Sequence, residues 1–224
     1  METNSQPASA QSSRTSPSGM RAYDSILFDL LTALLNSWRL WNDVAGSQES
    51  GFRWRRRYLE LTYQCGAYRP YEEIIWEAAR DTDVSPEKAG SLVSRWCDLE
   101  PWLETNEVLK ELANRVPLGV VTNSSNVLAK IALSKIETSF VTVVTSEMAG
   151  YYKPRPEPYK MALRQLRTPP ERTLFVAGSA ADIPGASGVG MPVYWHNRAN
   201  LKALAGGAQP IQVADSLWPL VDLV

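Results

Sequence analysis

A single histidine, His196, leaves the chain little scope for an imidazole-activated serine or cysteine nucleophile. At the end of an apolar segment, it reads as a hydrogen-bonded residue near a cleft rim. Two cysteines, Cys65 and Cys97, lie too far apart for a metal-ligand pair or a dithiol redox motif. They are expected to be reduced packing residues, which fits an intracellular compartment. Neither sign of charge prevails: 23 Lys plus Arg face 24 Asp plus Glu, so no excess draws nucleic acid or an anionic membrane. No apolar run reaches the length of a membrane span, and Met1 to Met20 lacks the apolar centre of a secretory signal. The expectation is a cytoplasmic protein with a small-molecule partner.

What is present is enough apolar material for a full core, 44% of 224 residues. Residues 1–20 are rich in Ser, Gln, Pro and Thr and are expected to form a disordered tail. A first strand is expected from Tyr23 to Leu31. Helical periodicity follows, in pieces at Leu34–Val44, Gly51–Cys65, Tyr71–Asp81 and Pro86–Cys97. In the second piece Phe52, Leu59 and Tyr63 share a face and are expected to pack inward. Most of Trp38, Trp41, Trp54, Trp76 and Trp96 are likewise expected to pack the helices. In the run Arg53 to Arg57 the side chains fan round a helix, so only one arginine need be special.

After Pro101 the pattern alternates. Trp102–Arg115 reads as a helix with Leu103 among its apolar contacts, and strands are expected at 117–121, 141–145, 173–177 and 192–195, with a last one near 212–213. Helices fall between them. This predicts an α/β fold, a doubly wound parallel sheet formed by residues 21–36 plus 101–224, with a helical cap domain inserted at 37–100.

One residue breaks the apolar run Ser25 to Leu35: the carboxylate of Asp29. A charge at the end of a buried parallel strand must be paired, cap the next turn, or face the cleft where such sheets bind ligands. Each later strand also places polar residues just past its end: Thr122 and Asn123, then Lys153, then Ser179 and Asp182. Parallel strands end on one side, so these groups should converge with Asp29.

Phe28-Asp29-Leu30, Val121-Thr122-Asn123-Ser124, Tyr152-Lys153-Pro154 and Phe175-Val176 with Ser179, Asp182 and Gly185-Ala186 together resemble the haloacid dehalogenase superfamily of aspartyl-nucleophile hydrolases. Trp54-Arg55 followed by Leu59-Glu60 is similar to the cap segment of the L-2-haloacid dehalogenases. The resemblance implies a Rossmann-like core and a homodimer, and the chemistry it implies needs no cofactor and no metal. It also implies that Asp29 attacks a 2-haloacid, Lys153 and Asp182 assist, and Arg55 with Asn123 receives the halide. Donors near Leu30 and the Thr122-Asn123 turn would hold the substrate carboxylate, and Ser179 would orient water or Lys153. Phosphatases of the superfamily carry an acid two residues after the nucleophile and metal-binding acids in the fourth motif. Here those positions are Leu31 and Gly178, which disfavours phosphoryl transfer.

The chain also departs from the dehalogenase pattern. Leu31-Thr32-Ala33 replaces an aromatic followed by Gly-Thr, Ala177 and Ser179 replace Ser and Asn, and Ala181 replaces a common Trp. Loss of that Trp predicts a larger pocket and a substrate bulkier than a chloropropionate. A hydrolase of another small substrate, including an atypical phosphatase, and a non-catalytic scaffold are the alternatives.

Overall fold

A computed structural model describes residues 22–224; the tail at 1–20 lies outside the described residues. At its centre Ser25–Phe28 (β1) is a strand with every side chain buried. It pairs in parallel with Leu118–Thr122 (β2) and Thr173–Ala177 (β4). Thr142–Thr145 (β3) lies outside β2, while Val193–His196 (β5) and Gln212–Ala214 (β6) continue beyond β4. The six parallel strands run β3-β2-β1-β4-β5-β6, so the strand order reverses at β1 and a crevice opens past its carboxyl end. Asp29 is the first residue past that end.

The first strand is shorter than its apolar run suggests. It ends at Phe28, and Leu30–Leu34 form a π-helical turn closed by the Leu35 amide donating to the Leu30 carbonyl at 3.1 Å. The cause is local: the Asp29 carboxylate accepts from the Thr32 and Ala33 amides, which pulls the chain out of extension.

The first four of the five α-helices between β1 and β2 are Ser37–Ala45 (α1), Gln48–Gln64 (α2), Tyr71–Asp81 (α3) and Pro86–Ser94 (α4). Aromatic contacts hold them together. Trp41 meets Trp54 at 4.8 Å and Tyr58 at 5.6 Å, Tyr58 meets Tyr71 at 5.2 Å, and Tyr71 meets Trp96 at 5.9 Å. Each such pair contributes about 0.5–1.5 kcal/mol beyond its buried area. The ladder ends past these four helices, where the Trp96 indole donates to the Leu128 carbonyl of helix Asn126–Leu133 at 3.0 Å.

Phe52, Tyr63 and Leu103 do not face inward as expected. Phe52 and Tyr63 are 44% and 42% exposed, because α2 buries instead the face of Trp54, Arg55, Tyr58 and Leu61. Trp76 is also exposed. Leu103 is 94% exposed, since the helix that follows starts at Thr105 and the Trp102 amide and Thr105 hydroxyl bind the Leu34 carbonyl. Cys97 is exposed rather than packed, and both cysteines are free. Among the described residues no helix is long and apolar enough to cross a membrane.

Candidate active site

Three strand ends and one inserted helix bring the charged groups together. Lys153 is fully buried, and its Nζ lies 2.7 Å from Asp29 Oδ1 and 3.2 Å from Asp182 Oδ1. Asp182 occupies the cap position of helix Ile183–Gly188, yet its side chain makes no capping bond and turns to the lysine. From the other side, α2 contributes Arg55 to the same small cavity. Four charges thus balance: two carboxylates, an ammonium and a guanidinium.

Burial would push the Asp29 carboxyl up, but Lys153 and the Thr32 donors more than offset it and hold it below the usual carboxylate range. Asp182 responds oppositely. Burial pushes it up to about 6, against the pull of Lys153 and with the repulsion of Asp29 added. Burial alone would lower the Lys153 ammonium, and the two carboxylates raise it instead. Near neutrality Asp29 is therefore ionised, with Asp182 poised to exchange a proton.

The two oxygens of Asp29 have different surroundings. Oδ2 accepts from the Thr32 amide at 2.8 Å, the Thr32 hydroxyl at 2.5 Å and the Ala33 amide at 3.3 Å. Oδ1 accepts only from Lys153 among the described residues, leaving it a lone pair toward the cavity. Thr32 stands in the segment that departs from the family pattern, and its hydroxyl donates to the Asp29 carboxylate from that altered position.

The guanidinium of Arg55 is buried, with its carbon 4.1 Å from the Trp38 ring centroid. One nitrogen donates to Ser37 Oγ at 2.9 Å, and the Ser37 hydroxyl donates to the Leu31 carbonyl. Among the described residues no carboxylate forms an ion pair with Arg55, so a desolvated cation faces the cavity with donors to spare. Its neighbours behave as expected of an arginine run on a surface helix: Arg53 and Arg56 are exposed, and Arg57 pairs with Asp81 and Glu60.

The other expected residues divide. Ser179 lines the cavity, but its hydroxyl accepts from the Ala181 amide rather than engaging Lys153. Asn123 lines it too, while its carboxamide clamps the Lys153 main chain: Oδ1 accepts from the Lys153 amide at 2.7 Å, and Nδ2 donates to the Lys153 carbonyl at 3.1 Å. Leu30 and Thr122 are not among the cavity-lining side chains. Leu30 is in the core, and the Thr122 hydroxyl pairs with that of Ser124. His196 is buried, with Nδ1 donating to the Ala33 carbonyl at 2.8 Å, and supports the nucleophile turn from behind. Its burial lowers its pKa.

The structure adds to the site residues that the sequence reading took as packing or did not name. Trp38, Tyr58, Leu59, Tyr63 and Tyr71 line the cavity, and Tyr159 donates to the Asp182 carbonyl at 3.3 Å beneath it. Tyr159 carries a weak signal, six residues after Lys153 on one side of the helix Pro156–Leu166.

Gly178 is required by close approach. A Cβ there would stand 2.2 Å from Ala33 N and from Thr32 C, inside the turn that holds Asp29. Gly178→Ala is therefore expected to destabilise the fold by about 1–3 kcal/mol and, by shifting Thr32, to slow turnover about 10²-fold. Thermal melts and turnover on one sample would check both; an unshifted melt with full activity would contradict the assignment. No acidic side chain fits at this position without moving the nucleophile.

A family model described as haloacid dehalogenase-like hydrolase matches residues 26–196. The chain belongs to the haloacid dehalogenase-like hydrolases. Among relatives, it is 28% identical to an (S)-2-haloacid dehalogenase of Pseudomonas putida over 176 residues, 73% of this chain and 78% of that protein. It is 31% identical to a pyrophosphatase of Bacillus mycoides over 134 residues, 57% of this chain and 60% of that one. An L-2-haloacid dehalogenase from Xanthobacter autotrophicus, solved with chloropropionic acid covalently bound, shares the fold with a TM-score of 0.79 and 17% identity, covering 90% of this chain and 98% of that one. Among the described residues, no three His, Cys, Asp or Glu are grouped to hold a metal ion.

Proposed function

We propose that this member of the family hydrolyses 2-haloacids through an ester formed on Asp29. The observation that carries the reading is the unpaired, buried Arg55 guanidinium facing the cavity opposite an ionised Asp29 whose Oδ1 keeps a free lone pair. A 2-haloacid is an anion that must release a second anion. Arg55 meets the charge that grows on the leaving halide, where a fixed donor in a desolvated site acts most strongly.

In the first step Oδ1 of Asp29 attacks C2, the new O–C bond forms, and halide departs with the bonding pair. Oδ2 then becomes the ester carbonyl oxygen. The three donors from Thr32 and Ala33 already aim at it, so they are placed to stabilise the oxyanion when water attacks Cγ. Asp182 takes the proton of that water and returns it to the leaving 2-hydroxyacid, whose hydroxyl oxygen is the former Oδ1. Lys153 stays between the two carboxylates, keeping Asp29 ionised and orienting Asp182.

Phosphoryl transfer lacks its acid: Leu31 lines the cavity where a proton donor to a leaving alcohol would stand, and Gly178 has no room for a carboxylate. The direct test is halide release from (S)-2-chloropropionate and longer 2-haloacids in the presence of a chelator, beside phosphate release from phosphoesters with Mg²⁺. Halide with no phosphate is expected; phosphate with no halide would overturn the reading.

The proton roles give a pH dependence. Asp29, held low, stays ionised in mild acid, whereas Asp182 becomes protonated as pH falls through about 6. Ester formation should therefore outlast ester hydrolysis. Rapid-quench halide release below that pH is expected to show a burst of one halide per site, with intact ester on the Asp29 peptide. Equal slowing of both steps would contradict the assignment of Asp182.

A further inference from the structure

The reacting cavity holds only about 40 Å³, room for roughly three water-sized groups. A carboxylate and a halogen on one carbon fill it. Between Trp38, Leu59, Tyr63, Ser179 and Ala181, which border both spaces, it adjoins a second cavity of about 1040 Å³. That volume is the size of a site for a much larger group than methyl.

The outer walls are built from apolar side chains left unburied by the fold. Phe52 and Tyr63, turned away from the core on α2, line it, and so does Leu204, 51% exposed. Trp38 stacks on Phe52 at 6.0 Å and 20°, continuing the wall from the inner cavity to the outer one. Of the stripe Phe52, Leu59 and Tyr63, Leu59 packs partly against the core while Phe52 and Tyr63 stay exposed, and all three line this space. Most of its charges are neutralised within the protein: Arg39 pairs with Asp43 and Glu100, Arg56 with Glu60, and Arg198 with Glu104, and among its lining cations Lys202 alone makes no ion pair with a described residue. A neutral, apolar occupant suits such a lining better than a charged one.

We infer that the substrates are 2-haloacids bearing an extended neutral tail, alkyl or arylalkyl, which passes Ala181 and lies in the outer cavity along Trp38, Phe52 and Tyr63. This rests on the dehalogenase reading. The carboxylate and halogen enter the inner cavity, and the tail supplies the hydrophobic binding energy.

The test is kcat/KM for halide release across straight-chain 2-bromo acids from propionate to decanoate, with 2-bromo-4-phenylbutanoate, for the parent, Ala181→Trp and Phe52→Asp. Each methylene seated in the cavity should raise kcat/KM about three- to fourfold until the tail leaves it. In both variants the decanoate-to-propionate ratio should fall at least about tenfold. A loss of fold lowers both substrates together and leaves that ratio unchanged. Highest kcat/KM on propionate, or an unchanged ratio in both variants, would overturn the tail assignment while leaving dehalogenation standing. If no acid releases halide, the dehalogenase reading fails. Tryptophan-fluorescence titration with decanoate then decides the cavity: saturable binding weakened by Phe52→Asp supports an apolar-tail site, and its absence overturns it.

Discussion

Asp29→Asn is expected to lower halide release by about 10⁴-fold or more, the scale seen when a covalent nucleophile is removed from an intact site. The substitution keeps the shape and removes the charge. The amide oxygen can still accept from Thr32 and Ala33, so the turn persists, but the amide nitrogen then faces Lys153 donor to donor. What is lost is the lone pair at Oδ1 that attacks carbon. Purified variant assayed with the best 2-haloacid found for the parent would measure the effect. Activity within tenfold or so of the parent would remove Asp29 from the chemistry.

Lys153→Met should be nearly as severe, about 10³-fold in turnover, for a different reason. The ammonium is the cation that keeps two buried carboxylates ionised side by side, at 2.7 Å and 3.2 Å. Without it one of them retains a proton near neutrality, and the nucleophile and the base can no longer both be ready. Stability should follow. Breaking a buried ion pair costs about 3–5 kcal/mol, and the sign of the pH dependence is set by the carboxylates left behind. In the variant their folded pKa values lie above the unfolded ones, so the loss is smallest in acid and grows as pH rises through them. Thermal melts of parent and variant across that range would show the gap widening upward; a gap that narrows with rising pH would contradict the pairing.

The α/β fold was legible because alternation of short apolar strands with helical periodicity survives in one sequence, and the strand ends named most of the charged site. Asp29, Lys153 and Asp182 could be placed together from topology alone, since parallel strands finish on the same side. Other features were not legible. The early end of β1 depends on the Asp29 side chain capturing amides three and four residues later, a local competition that an apolar run conceals.

Thr32 read as a departure from the family pattern because motif comparison counts positions, whereas a hydroxyl one residue earlier reaches the same carboxylate through a π-helical turn. Periodicity identified the stripe Phe52, Leu59 and Tyr63 but could not say what faced it, and a cavity wall has the same pattern as a core face. The contributions of Tyr58, Tyr71 and Tyr159 arise from tertiary packing among separate helices, for which one sequence carries almost no signal.

The central claim is that the oxygen of the product comes from Asp29 and that water repairs the carboxylate. A single turnover in H₂¹⁸O with enzyme in excess over a 2-haloacid tests it most directly, with mass spectrometry of the product and of the peptide containing Asp29. The mechanism predicts an unlabelled 2-hydroxyacid and one ¹⁸O in the Asp29 carboxylate. Label in the product after the first turnover, with none in that peptide, would mean that water attacks the substrate carbon directly and would contradict the account.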